Sequence, residues 1–248
     1  MAEQARVALV TGASQGIGAA IARRLANDGI DVVLTHRNPQ TAGLAAAVAD
    51  DVRGAGRRAH VLQFDGDVDA DVSALVDRAH GVWGRLDVLV NNAAVAHYRD
   101  VLDITDAQIS QSLAVNVATP YRLARDAARV LPEGGRIISI GSTVASRVPR
   151  ATASLYATTK AALVGMTKGL ARDLAPRGIT VNLVSPGTTR TGMSPDEGSD
   201  AEALMVSFNA LKHFAEPRDI ASLVGFVASP DARFVTGANL CVDGGYTS

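Results

Sequence analysis

Val7-Ala8-Leu9-Val10-Thr11-Gly12-Ala13-Ser14-Gln15-Gly16-Ile17-Gly18 is the stretch that decides the fold. Its first four residues form a continuous apolar run, the pattern of a strand buried on both faces. A helical pattern then runs through Ile21 and Leu25, and Gly29 is placed to stop it as a C′ glycine. A strand that feeds a glycine-rich turn and a helix presents unpaired N–H groups and a positive dipole end, which suits a pyrophosphate. Gly12, Gly16 and Gly18 allow the tight turn and the close approach of a ligand, and Ser14, Gln15 and Ile17 belong to the same turn.

Asp31-Val32-Val33-Leu34-Thr35 reads as the second strand, followed by His36-Arg37-Asn38-Pro39. In a dinucleotide fold the tip of this strand meets the adenosine ribose, where a carboxylate accepts from a 2′-hydroxyl and an arginine accommodates a 2′-phosphate. Arg37 with no carboxylate beside it favours NADP(H) over NAD(H). Further apolar runs predict strands near Ala59 to Phe64, Leu86 to Val90, Gly135 to Ile140, Ile179 to Val184 and Asn239 to Val242. Helical patterns separate them, among them an alanine-rich one to about Gly54 and one from about Asp71 to Val82. This alternation predicts a single doubly wound α/β domain over 1–248, with a seven-stranded parallel sheet flanked by helices on both faces. Ligands bind such sheets at the carboxyl ends of the strands. Those ends carry Asp65-Gly66, Asn91-Asn92-Ala93, Ser142, and Pro186-Gly187 with Thr189 and Thr191.

Thr105-Asp106-Ala107-Gln108 looks like a capping box opening one long helix that contains Asn116 and Pro120. Pro120 has no N–H, so the Asn116 carbonyl lacks its partner four residues on and is left to bind water or a side chain. The helix after Ser142 carries Tyr156 and Lys160, one turn apart on one face. An ammonium beside a phenol favours the phenolate, so the spacing predicts a Tyr156 pKa below the ordinary value of about 10. Such a phenol is a general acid for a carbonyl oxygen gaining charge, and Ser142 supplies a second donor. Read alone, the pair also fits a plain amphipathic surface. From Gly192 to Asp200 the chain is polar and loop-like, with helical patterns at Ala201 to Leu211 and Arg218 to Val227. The segment at about 188–215 is therefore expected to form a substrate lid.

The 248 residues are 47% hydrophobic and 20% charged, with a net charge of −1, which fits an ordinary globular protein. No basic stripe suggests a nucleic-acid partner. No apolar run nears the roughly 20 residues that span a bilayer. Met1 to Arg6 is short and polar without a signal-peptide pattern, and Cys241 is the single cysteine; both fit the cytoplasm. The five histidines share no metal-ligand spacing, so no metal is expected.

Thr11-Gly12-x-x-x-Gly16-x-Gly18, Asn91-Asn92-Ala93, Asn116, Ser142, Tyr156-x-x-x-Lys160, Pro186-Gly187 and Asp243-Gly244-Gly245 occur in this order, each on its expected element. Over nearly its full length the chain resembles the short-chain dehydrogenase/reductase superfamily, above all 3-oxoacyl-carrier-protein reductases and related carbonyl reductases. The resemblance implies hydride transfer from NADPH to a small-molecule carbonyl, free or thioester-linked. It implies Tyr156 as general acid, Ser142 as a donor to the substrate oxygen, and Lys160 as the holder of the ribose that also lowers the Tyr156 pKa. The Asn116 carbonyl would bind a relay water, Thr189 would meet the nicotinamide amide and Thr191 would sit near the phosphates. A homotetramer or homodimer is implied as well, built on the helices carrying Asn116 and Tyr156.

Several positions depart from the family pattern. Ala94 stands for a glycine, and Asp65-Gly66 for Asp-Val, with Asp67-Val68 as the competing register at the adenine. The Ser142–Tyr156 spacing is one residue longer, in a loop holding Arg147 and Arg150. Glu133 stands where carrier-protein reductases have a basic docking residue, although Arg172 matches a second one. His97 and Tyr98 are candidates for the substrate pocket. Two further readings stay open: an alcohol or sugar dehydrogenase working oxidatively, and a non-catalytic nucleotide- or ligand-binding regulator on the same fold.

Overall fold

The computed structural model describes residues 5–192 and 194–248. Residues 1–4, most of the polar N-terminal stretch, and residue 193, inside the 188–215 segment, lie outside the described residues. The first apolar run forms β1 (Val7–Val10), buried at all four positions. Ala8 and Val10 face a core with Ile21, Leu25 and Val224, whereas Val7 and Leu9 face a second core with Leu75, Leu123 and Ile137. A strand with a core on each side has no polar face, which is why its sequence shows no alternation.

The remaining strands are β2 (Asp31–His36), β3 (Ala59–Gln63), β4 (Val88–Asn91), β5 (Arg136–Ile140), β6 (Thr180–Pro186) and β7 (Asn239–Val242). They form one sheet in the order β3-β2-β1-β4-β5-β6-β7, with every neighbouring pair parallel. Ala8 pairs with Val32 on one side and Val88 on the other. The chain thus winds outward from β1 in both directions, and the crevice between β1 and β4 is the switch point where ligands bind in such sheets.

The helices are α1 (Gly16–Asn27), α2 (Ala42–Gly54), α3 (Asp69–Trp83), α4 (Asp106–Leu113), α5 (Thr119–Val130), α6 (Ser154–Leu174), α7 (Asp200–Ser207) and α8 (Pro217–Ala228). Gly29 ends α1 as expected, at φ +85°. Its N–H reaches the Ala26 carbonyl and the Ile30 N–H reaches that of Leu25, the paired bonds of a Schellman stop. Thr105 and Gln108 make the expected reciprocal capping box at α4.

The single long helix expected after Thr105 is three segments. A π-helical turn over Ala114–Ala118 lies between α4 and α5, with the Thr119 N–H reaching back to the Ala114 carbonyl; the backbone stays helical into Pro120, whose missing N–H leaves the Asn116 carbonyl without its donor four residues on. The helix expected over Ala201 to Leu211 ends four residues early. Buried Asn209 leaves the helical path because its side chain donates to Thr188 Oγ1 at 2.6 Å and to the His213 carbonyl at 2.8 Å. Among the described residues no helix is long and apolar enough to cross a membrane, and no group of three or more His, Cys, Asp or Glu is placed to hold a metal ion.

Candidate active site

The carboxyl ends of β1, β2 and β4 are stitched into one surface. Thr11 Oγ1 accepts from the Asn92 and Ala93 N–H groups at 3.0 Å each, and donates to the Val90 carbonyl at 3.4 Å. In return Asn92 Nδ2 donates to the carbonyls of Thr11 and Gly12 at 2.9 and 3.0 Å. From the other side Thr35 Oγ1 accepts from the Gly12 N–H at 3.0 Å. Asn92 therefore fixes the shape of the turn through both its backbone and its side chain, whereas Asn91 Nδ2 donates to the Pro120 carbonyl at 3.2 Å. Thr11 shows in the sequence as the first residue of the glycine motif, whereas Thr35 shows only as the last residue of an apolar strand.

This close stitching explains the glycines. A Cβ on Gly18 would lie 2.4 Å from the Gly12 carbonyl oxygen and 2.5 Å from Asn92 Nδ2. Gly12 has φ +64° and Gly16 φ +58°, left-handed values that favour glycine. The first turn of α1 has no acidic residue, and Gln15 makes no side-chain cap. Its leading N–H groups have no acceptor within the helix, and Thr191 stands opposite Gly16. An uncapped helix start faced by a hydroxyl residue fits a pyrophosphate.

At the tip of β2, Arg37 Nε lies 3.2 Å from Asp65 Oδ2. Asp65 Oδ1 accepts from the Asp67 N–H, whereas Asp67 turns its own carboxylate to Gln111 on α4 at 3.0 Å. Asp65, not Asp67, is the carboxylate that faces Arg37. Gly66 follows it, and its carbonyl accepts from Thr119 Oγ1 at 2.7 Å. Next to it His36 is buried, its Nδ1 2.9 Å from the Asn38 carbonyl.

Ser142 and α6 meet at the end of β5. Ser142 Oγ accepts from the Val144 N–H at 3.3 Å, which leaves the hydroxyl proton free to donate. Lys160 is buried, and its Nζ donates to the Ile140 carbonyl at 2.8 Å while lying 5.6 Å from the Tyr156 ring centroid. No carboxylate joins this ammonium among the ion pairs of the described residues. Burial lowers its pKa from 10.5 to about 8.

The expectation that Lys160 depresses the Tyr156 pKa is corrected here. Burial pushes the phenol up, and nearby Tyr98, with ring centroids 5.6 Å apart, adds to the rise. The ammonium is itself desolvated and bound to a carbonyl, so in this arrangement it does not offset the phenol's own loss of water.

The Asn116 side chain is fully engaged. Its Oδ1 accepts from the Val95 N–H at 2.9 Å, and its Nδ2 donates to the Val95 carbonyl at 2.7 Å and to Thr159 Oγ1 at 3.1 Å. Thr159 then donates to the Tyr156 carbonyl at 2.8 Å. The amide thus fastens the loop after β4 to the helix that carries Tyr156 and Lys160. His97, in the same loop, bonds to Gln111 at 3.0 Å, and Tyr98 stands over Tyr156.

On the far side Pro186 ends β6, and the Gly187 N–H donates to the Val242 carbonyl. A Cβ on Gly187 would lie 2.7 Å from Asp243 Cα, so this glycine lets the two strand ends touch. Thr189 Oγ1 donates to the Gly187 carbonyl at 3.1 Å. Beyond them Arg190 pairs with Glu202 on α7 and stacks on Phe214, at 4.9 Å from the ring centroid.

A family model described as enoyl-(acyl carrier protein) reductase matches residues 12–247. The "Cyclic-di-GMP-binding biofilm dispersal mediator protein" of Escherichia coli (strain K12) is 39% identical over 241 residues, 97% of each chain. The "3-oxoacyl-[acyl-carrier-protein] reductase FabG" of Vibrio harveyi is 35% identical over 246 residues, 98% of this chain and 97% of that one. A crystal structure of a short chain dehydrogenase from Burkholderia cenocepacia J2315 in complex with NADP superposes with a TM-score of 0.94 at 47% identity, covering 99% of each chain. The chain belongs to the short-chain dehydrogenase/reductase superfamily.

Proposed function

We propose that the protein is an NADPH-dependent reductase acting on a ketone or 3-oxoacyl carbonyl. The observation that carries this reading is that the buried Lys160 ammonium, 5.6 Å from the Tyr156 ring centroid, bonds to the Ile140 carbonyl two residues before Ser142, at the same carboxyl edge of the sheet from which α1 starts uncapped. When bound, the cofactor supplies the hydride. The first turn of α1, with Ser14, Gln15, Gly16 and Ile17, holds the pyrophosphate, and Arg37 takes the 2′-phosphate. Asp65, Gly66, Asn92 and Ala93 border the adenosine half; Pro186, Gly187, Thr189 and Thr191 border the nicotinamide half and its phosphates. The NADP complex of the Burkholderia relative supports the cofactor choice.

A raised Tyr156 pKa keeps its proton in place at neutral pH, the form that a reductase needs. As the substrate oxygen gains charge, Ser142 donates a hydrogen bond to it and Tyr156 delivers the proton. Lys160, charged below about pH 8, binds ribose hydroxyls and offsets charge left on the phenol. The Asn116 carbonyl, denied its four-residue partner by Pro120, is the outlet through which water returns the proton.

The test is NADPH oxidation against a ketone panel, with NADH in parallel. Tyr156→Phe is expected to cut kcat by about 10²–10⁴ with NADPH affinity and circular dichroism retained. A variant that keeps its rate refutes Tyr156 as the acid, and a clear NADH preference would favour the oxidative dehydrogenase reading. A second reading has an observation of its own, the 39% identical relative named for binding cyclic-di-GMP. Calorimetric titration with NADPH and with cyclic-di-GMP beside the activity assay separates the two; ligand binding with no turnover across the panel favours the regulator. Exposed Leu113 and Tyr121 beside the π turn, and Phe234 before β7, offer apolar surface for a homotetramer or homodimer, which sedimentation velocity measures.

A further inference from the structure

We infer that the substrate carries an anionic group, a carboxylate in the first instance, several bonds from its carbonyl, and that Arg150 receives it with Arg147 in support. This rests on the reductase reading and names the substrate class of the same site. Arg150 Cζ stands 5.4 Å from the Tyr98 ring centroid, and Tyr98 in turn stands 5.6 Å from the Tyr156 centroid. The three side chains form a stack leading from the phenol to the exposed mouth of the site. Arg147 donates to the Tyr246 carbonyl and lies 5.2 Å from the Tyr246 ring centroid, and Phe208 packs edge-on against the same ring.

Both guanidiniums are exposed and held over aromatic faces, yet neither has a carboxylate partner among the described residues. Ten other arginines of the described chain do have one. On the facing loop Asp100 spends Oδ1 on the Leu102 N–H. An arginine pre-oriented on an aromatic ring and left without a counter-ion matches a planar carboxylate in charge and shape.

The backbone of the same loop is strained in a way that fixes it. Thr152, two residues after Arg150, has φ +73°, the one non-glycine residue in the left-handed region among the described residues. Its carbonyl accepts from the Arg99 N–H, tying the arginine loop to the loop that carries Tyr98. Strain of this kind persists where surrounding structure demands it and concentrates at ligand clamps. The two stacks together allow at most about 11 Å between the Tyr156 ring and the guanidinium. The phosphate of a pantetheine arm lies many more bonds from its thioester than this span allows, so the anion belongs to the substrate's own chain.

The experiment compares methyl ketones bearing a terminal carboxylate, at increasing chain length, with their methyl esters, following NADPH oxidation. A neutral N-acetylcysteamine 3-oxoacyl thioester and the matching coenzyme A thioester form the other arms. Wild-type protein is expected to favour the best acid over its ester about tenfold in kcat/KM. Arg150→Leu should lower that ratio to near one through KM, and Arg150→Lys should restore part of it. Equal kcat/KM for acid and ester, or a ratio that survives Arg150→Leu, overturns the inference; so does a preference for the coenzyme A thioester over every acid. If NADPH binds and no ketone is reduced, the reductase reading fails separately. Calorimetry of the acid–ester pair on the NADPH complex then decides the anion site, acid-selective binding lost in Arg150→Leu supporting it and equal binding refuting it.

Discussion

Replacing Lys160 with methionine removes a charge that the folded chain holds out of water. The Lys160 ammonium is buried, with the Ile140 carbonyl at 2.8 Å, and its pKa drops from 10.5 to about 8. Between these values the unfolded chain binds more protons than the folded one, so the lysine's contribution to stability rises with pH across that window. Below pH 8 the penalty is present in full. At about 1.4 kcal/mol per pKa unit, the wild type should gain about 2.5 kcal/mol on Lys160→Met between pH 7 and pH 10. The assay is urea denaturation of both proteins without cofactor at pH 7, 8, 9 and 10. Groups common to both cancel in the difference. A difference that stays flat across this range refutes the reasoning, because it means that Lys160 titrates as an ordinary solvated lysine.

Three more expectations concern the cofactor side. Gly18→Ala places a methyl 2.4 Å from the Gly12 carbonyl oxygen. It should cost about 1–3 kcal/mol or more in thermal or urea unfolding and weaken NADPH binding in titration. Thr11→Val keeps the shape but strips acceptors from the Asn92 and Ala93 N–H groups. It should destabilise by about 1–3 kcal/mol per unpaired group, with Thr11→Ser recovering most of the loss. Arg37→Leu removes the one guanidinium at the β2 tip, which is half-exposed and paired only with Asp65. NADPH affinity should fall roughly 10–100-fold, the worth of a charge-assisted contact, with NADH affinity changed far less in parallel fluorescence titrations.

The frame of the protein is legible because local rules and the tertiary fold agree there. Val7–Val10 reads as buried on both faces and is; Gly29 reads as a helix stop and makes both Schellman bonds. The sheet's ligand edge follows from strand order, and Tyr156 and Lys160 share a helix face because four residues make about one turn. What spacing cannot supply is the set of contacts made across long separations. Thr35 and Thr159 look like ordinary strand and helix residues until Gly12 and Asn116 reach them. The direction of the Tyr156 shift depends first on the burial of the phenol and then on Tyr98 from another loop, neither of which a four-residue spacing encodes. Asn209 ended α7 through Thr188, a contact that helical periodicity does not encode.

The Asn116 amide also sets what can and cannot fluctuate around the phenol. Val95 lies outside every strand, yet its N–H and its carbonyl are both paired, to the two ends of one buried side chain. Its amide proton should exchange with solvent on the slow timescale of the neighbouring sheet rather than that of a surface connection. The wall bearing Tyr98 is thereby anchored just ahead of that ring, and a ligand meets an aromatic surface already set in position. Loss of Asn116 would show first as accelerated exchange at Val95, before any change in the average shape of the chain.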